Sequence, residues 1–162
     1  MVRSRRLKIT VVITLILGAA VLWYWRRCPA EPGRILQVEC SHEGGMLAND
    51  FWWNLALDAK GNGRLIISPG STREKRLPIA VPKTITQLQK AVDQWPLCNL
   101  PSNIGGAVPD ESTDRMRIKT ENIDKTITIQ FVDPRNADDD VRRIYGLWKV
   151  IQDSVDNSTR PN

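Results

Sequence analysis

The sequence predicts an α+β domain, with an antiparallel sheet of about five strands covered by two helices, behind an N-terminal transmembrane helix. Three observations support this fold class. Residues 9–25 form an uncharged apolar run. Segments of period two, typical of half-buried strands, fall into two groups that contain turn residues. Each group is followed by a stretch with apolar residues at helical spacing, an order typical of a sheet with helices on one side.

The apolar run reads ITVVITLILGAAVLWYW and would span roughly 25 Å as a helix, close to the thickness of a hydrocarbon core. Aromatic rings followed by cations mark the exit from a bilayer. The run therefore predicts a transmembrane signal-anchor with the lipid bilayer as its partner. The predicted interface residues are Trp23, Tyr24, Trp25, Arg26 and Arg27.

Orientation follows from the flanking charges. Residues 1–8 carry more cations per residue than residues 26–33, so the positive-inside rule favours a cytoplasmic N-terminus and an extracytoplasmic domain at the cell membrane, in a single pass. The alternative is a signal peptide cleaved after Ala20, which would leave VLWYW as an exposed apolar end. A buried core helix is disfavoured because the run is apolar on every side.

The formal net charge of +5 belongs to the N-terminal flanks. The first 27 residues hold six of the 23 Lys and Arg residues and none of the 18 acidic residues, which leaves the remainder close to −1. Without a basic run and interleaved aromatic residues, nucleic acid is excluded as a partner. The flanking cations are better suited to anionic lipid head groups.

Composition along the chain predicts five parts. These are a basic cytoplasmic flank at 1–8, the anchor at 9–25, a proline-bearing linker at 26–33, one α+β domain at 34–155 and a disordered tail at 156–162. The domain part, of roughly 120 residues, is long enough for one core.

Within the domain, alternation predicts strands at 34–40, 50–59, 64–68, 115–120 and 126–132. Turn residues at 60–63 and 122–125 predict two hairpins. Apolar residues at helical spacing predict helices at 82–95 and 138–155, the first with a capping box of Thr84 and Gln87. The segments 69–76 and 96–113 are predicted to be mostly loop.

No catalytic, cofactor-binding or metal-binding residue is predicted, and no small-molecule ligand is inferred. His42 is the only histidine and is expected in an exposed loop. The turn after Asp58 fails as a calcium loop because Lys60 occupies a ligand position and Pro69 stands where a bidentate Glu is required. The carboxylates at 138–140 are expected to cap a helix.

The chain has three cysteines, Cys28, Cys40 and Cys98. In an extracytoplasmic domain Cys40 and Cys98 could form a disulfide, since both lie at the ends of predicted elements. The alternative is three free thiols.

Trp52 and Trp53 are neighbours on a predicted strand, so their side chains point to opposite faces and at most one can enter a one-sided core. The other is covered by a loop, lies at the second face of the sheet, or is exposed as an anchor for a protein partner.

Several features together resemble the emfourins, small bacterial α+β domains that inhibit thermolysin-like metalloproteases. Gly44-Gly45 leads into an aromatic-rich strand that ends at Leu57-Asp58, and a helix with QLQKAV, a Leu100-Pro101 turn, a late hairpin and a final amphipathic helix follow. The resemblance spans most of 35–155 and implies the order of elements and an inhibitor-like role. The anchor and the 69–76 segment depart from it.

Taken together, these features favour a bacterial, membrane-tethered, non-catalytic binding domain that docks a protein partner. One alternative is an assembly subunit that pairs through its membrane helix. The other is a hydrolase that uses Asp or Glu, although no motif places a carboxylate pair.

Overall fold

The computed structural model describes residues 31–44, 51–69, 73–95, 97–106, 112–130 and 137–159. Its strands are β1 (Ile35–Glu43), β2 (Phe51–Asp58), β3 (Asn62–Pro69), β4 (Lys75–Ala80), β5 (Asn103–Ile104), β6 (Thr113–Thr120) and β7 (Asp124–Ile129). Its helices are α1 (Pro82–Gln94) and α2 (Asp139–Thr159), with a short 3₁₀ helix at Leu97–Asn99.

These strands form one mixed sheet in the order β4-β3-β2-β1-β6-β7-β5. Neighbours are antiparallel except β5, which runs parallel to β7. The prediction of an antiparallel sheet of about five strands is therefore wrong. The strand β4 begins in the predicted loop at 69–76 and continues through residues for which no element is predicted, and β5 lies within the predicted loop at 96–113. Pro78 and the charges at Lys75 and Arg76 hide the alternation of β4, and β5 has only two residues.

The transmembrane part of the predicted fold class also needs correction. No helix in the described part of the chain is both long and apolar enough to cross a membrane. The predicted single-pass anchor and the cell-membrane location that rested on it are therefore not supported. The anchor segment at 9–25, its interface residues Trp23 to Arg27, and Cys28 lie outside the described residues.

The core lies between one face of the sheet and the two helices, as predicted. Strand residues such as Leu55, Leu65 and Met116 are buried together with Leu88 of α1 and Ile144 of α2. The apolar stripe of α2 matches the prediction residue for residue: Val141, Ile144, Leu147, Trp148, Ile151 and Val155 are all buried. Burial of these stripes against the sheet stabilises helices that would be marginal in isolation.

The hairpin between β2 and β3 is confirmed. The Asp58 carboxylate accepts hydrogen bonds from the backbone N–H groups of Lys60 (2.8 Å) and Asn62 (2.9 Å), and Gly61 takes a positive φ of 80°. At Gly63 an added Cβ would lie 1.8 Å from the carbonyl oxygen of Ala56. The strands approach closely here because position 63 has no side chain.

The two helices begin differently. Asp138 accepts a hydrogen bond of 2.8 Å from the N–H of Val141, which confirms the expected capping carboxylate. At α1 the expected capping box is wrong, because Pro82 occupies the first turn and no side chain caps the helix. Thr84 is instead buried, and its hydroxyl lies 2.6 Å from that of Ser154 on α2. Helix α2 continues to Thr159, into the tail that was expected to be disordered.

Residues 31–35 belong to the domain although 26–33 was predicted to be a linker. The side chain of Gln89 donates to the carbonyl of Gly33 (3.2 Å) and accepts from the N–H of Ile35 (2.8 Å). Arg34 pairs with Glu121 in the β6–β7 hairpin at 3.1 Å. These contacts order the approach to β1.

A bulge near the start of β1 changes which side chains are buried. The pairing with β6 shifts between Ile35 and Gln37. Ile35 is therefore buried, as is Val38, whereas Leu36 is 43% exposed. Uninterrupted alternation, which predicted Leu36 on the side of Val38, fails because a bulge adds one residue to the strand.

Two glycines provide a matched test of this packing. Gly63→Ala should lower the free energy of unfolding by about 2 kcal/mol, because the new methyl group meets the backbone of Ala56. Gly146→Ala, at an exposed position of α2 with open space around it, should raise it by about 0.5–1 kcal/mol. Urea denaturation measures both, and equal effects of the two substitutions would contradict the close approach of β2 and β3.

Candidate functional site

The chain's single histidine lies on the helix-covered side of the sheet, near one end of β1. His42 faces Asp114 of β6 in the strand register, and its Nδ1 lies 2.6 Å from the Asp114 Oδ1. A carboxylate only accepts hydrogen bonds, so Nδ1 carries the hydrogen. The His42 ring also stacks on Trp53, with centroids 6.1 Å apart. The expectation of an exposed loop histidine was wrong, because β1 extends to Glu43.

The groups near this pair are unsuited to nucleophilic catalysis. Cys40, two residues earlier on the same face, is buried and has a free thiol. Burial raises the pKa of this thiol, and the nearby carboxylates of Asp114 and Glu39 raise it further. Burial, followed by the charge of Asp114, also raises the pKa of Tyr145. A thiol held in its protonated form is a poor nucleophile.

Potential metal ligands are not brought together in the described part of the chain, where no group of three or more His, Cys, Asp and Glu side chains could hold an ion. Two of the carboxylates considered from the sequence have structural roles. Asp138 caps α2, and Asp58 holds the hairpin turn. Hydrogen bonds from the backbone, first that of Asn62, lower the pKa of Asp58.

The predicted disulfide between Cys40 and Cys98 does not form. Cys40 is a free thiol, whereas Cys98 is disulfide-bonded. The strand register explains the difference for Cys40, which lies in the core between Leu55 of β2 and Met116 of β6. Cys40 was expected at the end of a strand, but β1 continues to Glu43, so Cys40 lies inside the strand.

The two adjacent tryptophans separate as strand geometry requires. Trp53 enters the core, 5% exposed, and its ring stacks on Trp148 of α2 with centroids 5.4 Å apart. Trp52 lies on the opposite face, across from Ser68, and is partly exposed. The prediction that at most one of them enters the core is confirmed. The role of Trp52 as a partner anchor stays a prediction.

The face of the sheet opposite the helices carries the most distinctive surface of the described residues, and we call it the open face. It contains a depression of about 720 Å³. The side chains of the open face that line it are Glu39, Ser41, Asn54, Ala56, Arg64, Ile66, Arg115, Arg117 and Thr126.

Strand register orders these side chains into two neighbouring rows across the sheet. From β3 to β6, the first row is Arg64, Ala56, Glu39, Arg117. The second row is Ile66, Asn54, Ser41, Arg115. Small or short side chains therefore lie mostly on the central strands β1 and β2, and long cationic side chains lie on the flanking strands β3 and β6. This arrangement makes the face concave.

The arginines of the open face differ in their partners. Arg117 donates to both oxygens of Asp124 at 2.8 and 2.7 Å and to Glu39 at 3.2 Å. Hydrogen bonds from Arg117 lower the pKa of Asp124, so that carboxylate stays charged beside it. Arg64 and Arg115 are exposed, and among the described residues no carboxylate lies within 4.0 Å of either guanidinium. Their charges remain available to a partner.

Trp52 was predicted from the sequence as a candidate residue, whereas Arg64, Arg115 and Asp114 were not. Alternation along β3 and β6 does contain the signal, because Arg64 and Arg115 occupy outward positions of their strands. Alternation does not give the order of the strands in the sheet. That order places β3 and β6 on either side of the β1–β2 pair.

Thiol labelling tests the environment of Cys40. In the folded chain without reductant, Cys40 should resist iodoacetamide at neutral pH, since it is buried and burial raises its pKa. In urea it should react at the rate of an ordinary thiol. Mass spectrometry of peptides locates the label, and Cys40→Ala provides the control. Equally fast labelling of Cys40 with and without urea would show that the thiol is accessible.

Comparison of the sequence with models of known protein families gives no match, and no curated protein matches it. The resemblance to the emfourins therefore stays a prediction.

Proposed function

We propose that this domain is a non-catalytic binding domain that docks a protein partner through the open face of its sheet. The observation that carries the proposal is the pair Arg64 and Arg115, exposed on either side of a concave floor and lacking carboxylate partners among the described residues. Arginine is enriched where protein surfaces bind each other, because it makes paired hydrogen bonds and stacks on planar groups.

Trp52 supports the same face. It projects from β2 on the side of Asn54 and Ala56, two and four residues further along the strand. A partly exposed tryptophan at one end of a concave surface offers the apolar area that dominates binding energy at many interfaces. The open face thus combines one aromatic residue, two available cations and a recessed floor.

Partner binding at the sheet edges is disfavoured. β4 ends the sheet on one side and contains Pro78, which has no N–H to donate to an added strand, together with Lys75 and Arg76. Such residues protect edges from pairing with other chains. On the other side the sheet ends in β5, which has two residues. We therefore expect a partner to bind a face of the sheet rather than one of its edges.

The alternatives from the sequence have less support. An assembly subunit would pair through the predicted membrane helix, and no contact of the described residues supports that role. A hydrolase would need an activated nucleophile or a carboxylate pair, whereas the carboxylates of Asp58, Asp138 and Asp124 are engaged in a hairpin turn, a helix cap and an ion pair.

Blocking the floor of the open face tests the proposal. Ala56 is exposed at the centre of the depression, so Ala56→Arg should fill it without disturbing the core. In affinity capture, the full chain with Ala56→Arg should recover about tenfold less partner, or still less, than the unchanged chain. Gln87→Arg, which adds the same side chain to the exposed side of α1, is the control and should retain the partner. Equal capture by both variants would show that the partner binds elsewhere.

The emfourin resemblance nominates one class of partner, a thermolysin-like metalloprotease. If it holds, the full chain should slow peptide hydrolysis by such an enzyme, and Ala56→Arg should relieve the inhibition while Gln87→Arg should not. Initial rates at increasing chain concentration measure the effect. If micromolar concentrations of the chain do not inhibit the enzyme, thermolysin-like metalloproteases are excluded as the partner. The capture experiment would still test the docking face.

A further inference from the structure

We infer that the segment received by the open face is an acidic amphipathic helix, lying over β1 and β2 with carboxylates directed to Arg64 on one side and Arg115 on the other. This inference rests on the proposed function and specifies the partner's structure and charge. It follows from the spacing of the two arginines, from the charges between them and from the hydrogen-bonding needs of a chain that lies on a sheet.

Spacing is the first argument. Arg64 on β3 and Arg115 on β6 are three strand positions apart, with β2 and β1 between them. At about 4.8 Å per strand, their backbones are roughly 14 Å apart across the sheet. A helix with its side chains is about 10–12 Å wide, so one helix fits between the two cationic flanks. Ala56, Asn54 and Ser41 leave room for it at the floor.

Charge is the second argument. Arg117 is paired with two carboxylates, Asp124 and Glu39, whereas no described carboxylate lies within 4.0 Å of Arg64 or Arg115. Guanidinium groups bind carboxylates through two parallel hydrogen bonds, so acidic side chains on both flanks of a helix suit them. The carboxylates of Glu39 and Asp124 on the same face disfavour a uniformly anionic polymer such as nucleic acid.

Backbone hydrogen bonding is the third argument. The backbone groups of the central strands are paired with their neighbours, β1 with β2 and β6, and β2 with β3. An extended segment laid across this face would find no backbone partners for its own N–H and C=O groups. A helix satisfies its backbone internally and presents only side chains. The sheet already packs two helices on its other face in this way.

Apolar contacts would supply the remaining complementarity. Ile66 lies beside Asn54 in the second row and is partly exposed. In the strand register it is diagonal to both Ala56 and Trp52 of β2, so the three apolar side chains are neighbours on the open face. The bound helix should therefore present small or apolar residues at helical spacing towards the sheet, with acidic residues on both sides of that stripe.

Selection from a displayed library provides the test. The probe is a library of random peptides of about 20 residues, long enough for a helix of roughly 30 Å. The library is selected on the full chain and counter-selected on the Ala56→Arg variant. Recovered peptides are synthesised and measured by fluorescence anisotropy against the full chain, Arg64→Glu, Arg115→Glu and the control Lys83→Glu, which changes an exposed cation on α1.

We expect recovered peptides to be enriched in Asp and Glu on two sides of an apolar stripe and to gain helical circular dichroism on binding. Arg64→Glu and Arg115→Glu should each weaken binding about tenfold, and Lys83→Glu should not. Neutral, basic or non-helical peptides that bind the open face would overturn the acidic-helix inference while the docking face stands. Equal or tighter binding of a single-stranded oligonucleotide to that face would overturn the choice of a protein partner. Recovery of no peptide that Ala56→Arg rejects would count against the docking face itself.

Discussion

Packing of two amphipathic helices onto one face of the sheet is the interaction on which the other features of this domain depend. It buries the inward side chains of β1, β2 and β6, among them Val38, Leu55 and Met116, each less than 3% exposed. Each such side chain contributes about 1.5–3 kcal/mol relative to an exposed one. Because strand side chains alternate, the same packing directs every second residue to the opposite face and leaves it without cover from α1 and α2. The binding surface that we propose is thus a consequence of a one-sided core.

The same packing determines the surroundings of the histidine and of the buried cysteine. The His42 and Asp114 pair lies at the margin of the helix-covered face, in a stack that continues through Trp53 to Trp148. Cys40 lies inside the core, where burial keeps its thiol protonated. Charges on the open face are distributed differently. There Glu39 and Asp124 both pair with Arg117. No carboxylate of the described residues pairs with Arg64 or Arg115.

The predictions that are wrong concern residues whose structure depends on strand register and on pairing between distant segments. β4 was missed because Pro78 and two cations break its pattern, yet its pairing with β3 makes it a strand. The bulge after Ile35 reverses the expected face of Leu36. His42 was placed in a loop because no local signal shows that β1 continues along β6 as far as Glu43. The disulfide prediction failed for the same reason, since the neighbours of Cys40 are set by strands distant in sequence.

Local patterns in the sequence determined the two helices, the first hairpin and the division of Trp52 from Trp53. Periodicity and turn chemistry act over a few residues, so they can be read directly from the chain. Only the tertiary structure decided the seven-stranded mixed sheet, the partner of His42 and the free state of Cys40. It also decided the concave surface between Arg64 and Arg115. These features depend on which strands become neighbours, and that order reflects the burial of the whole core rather than any single segment.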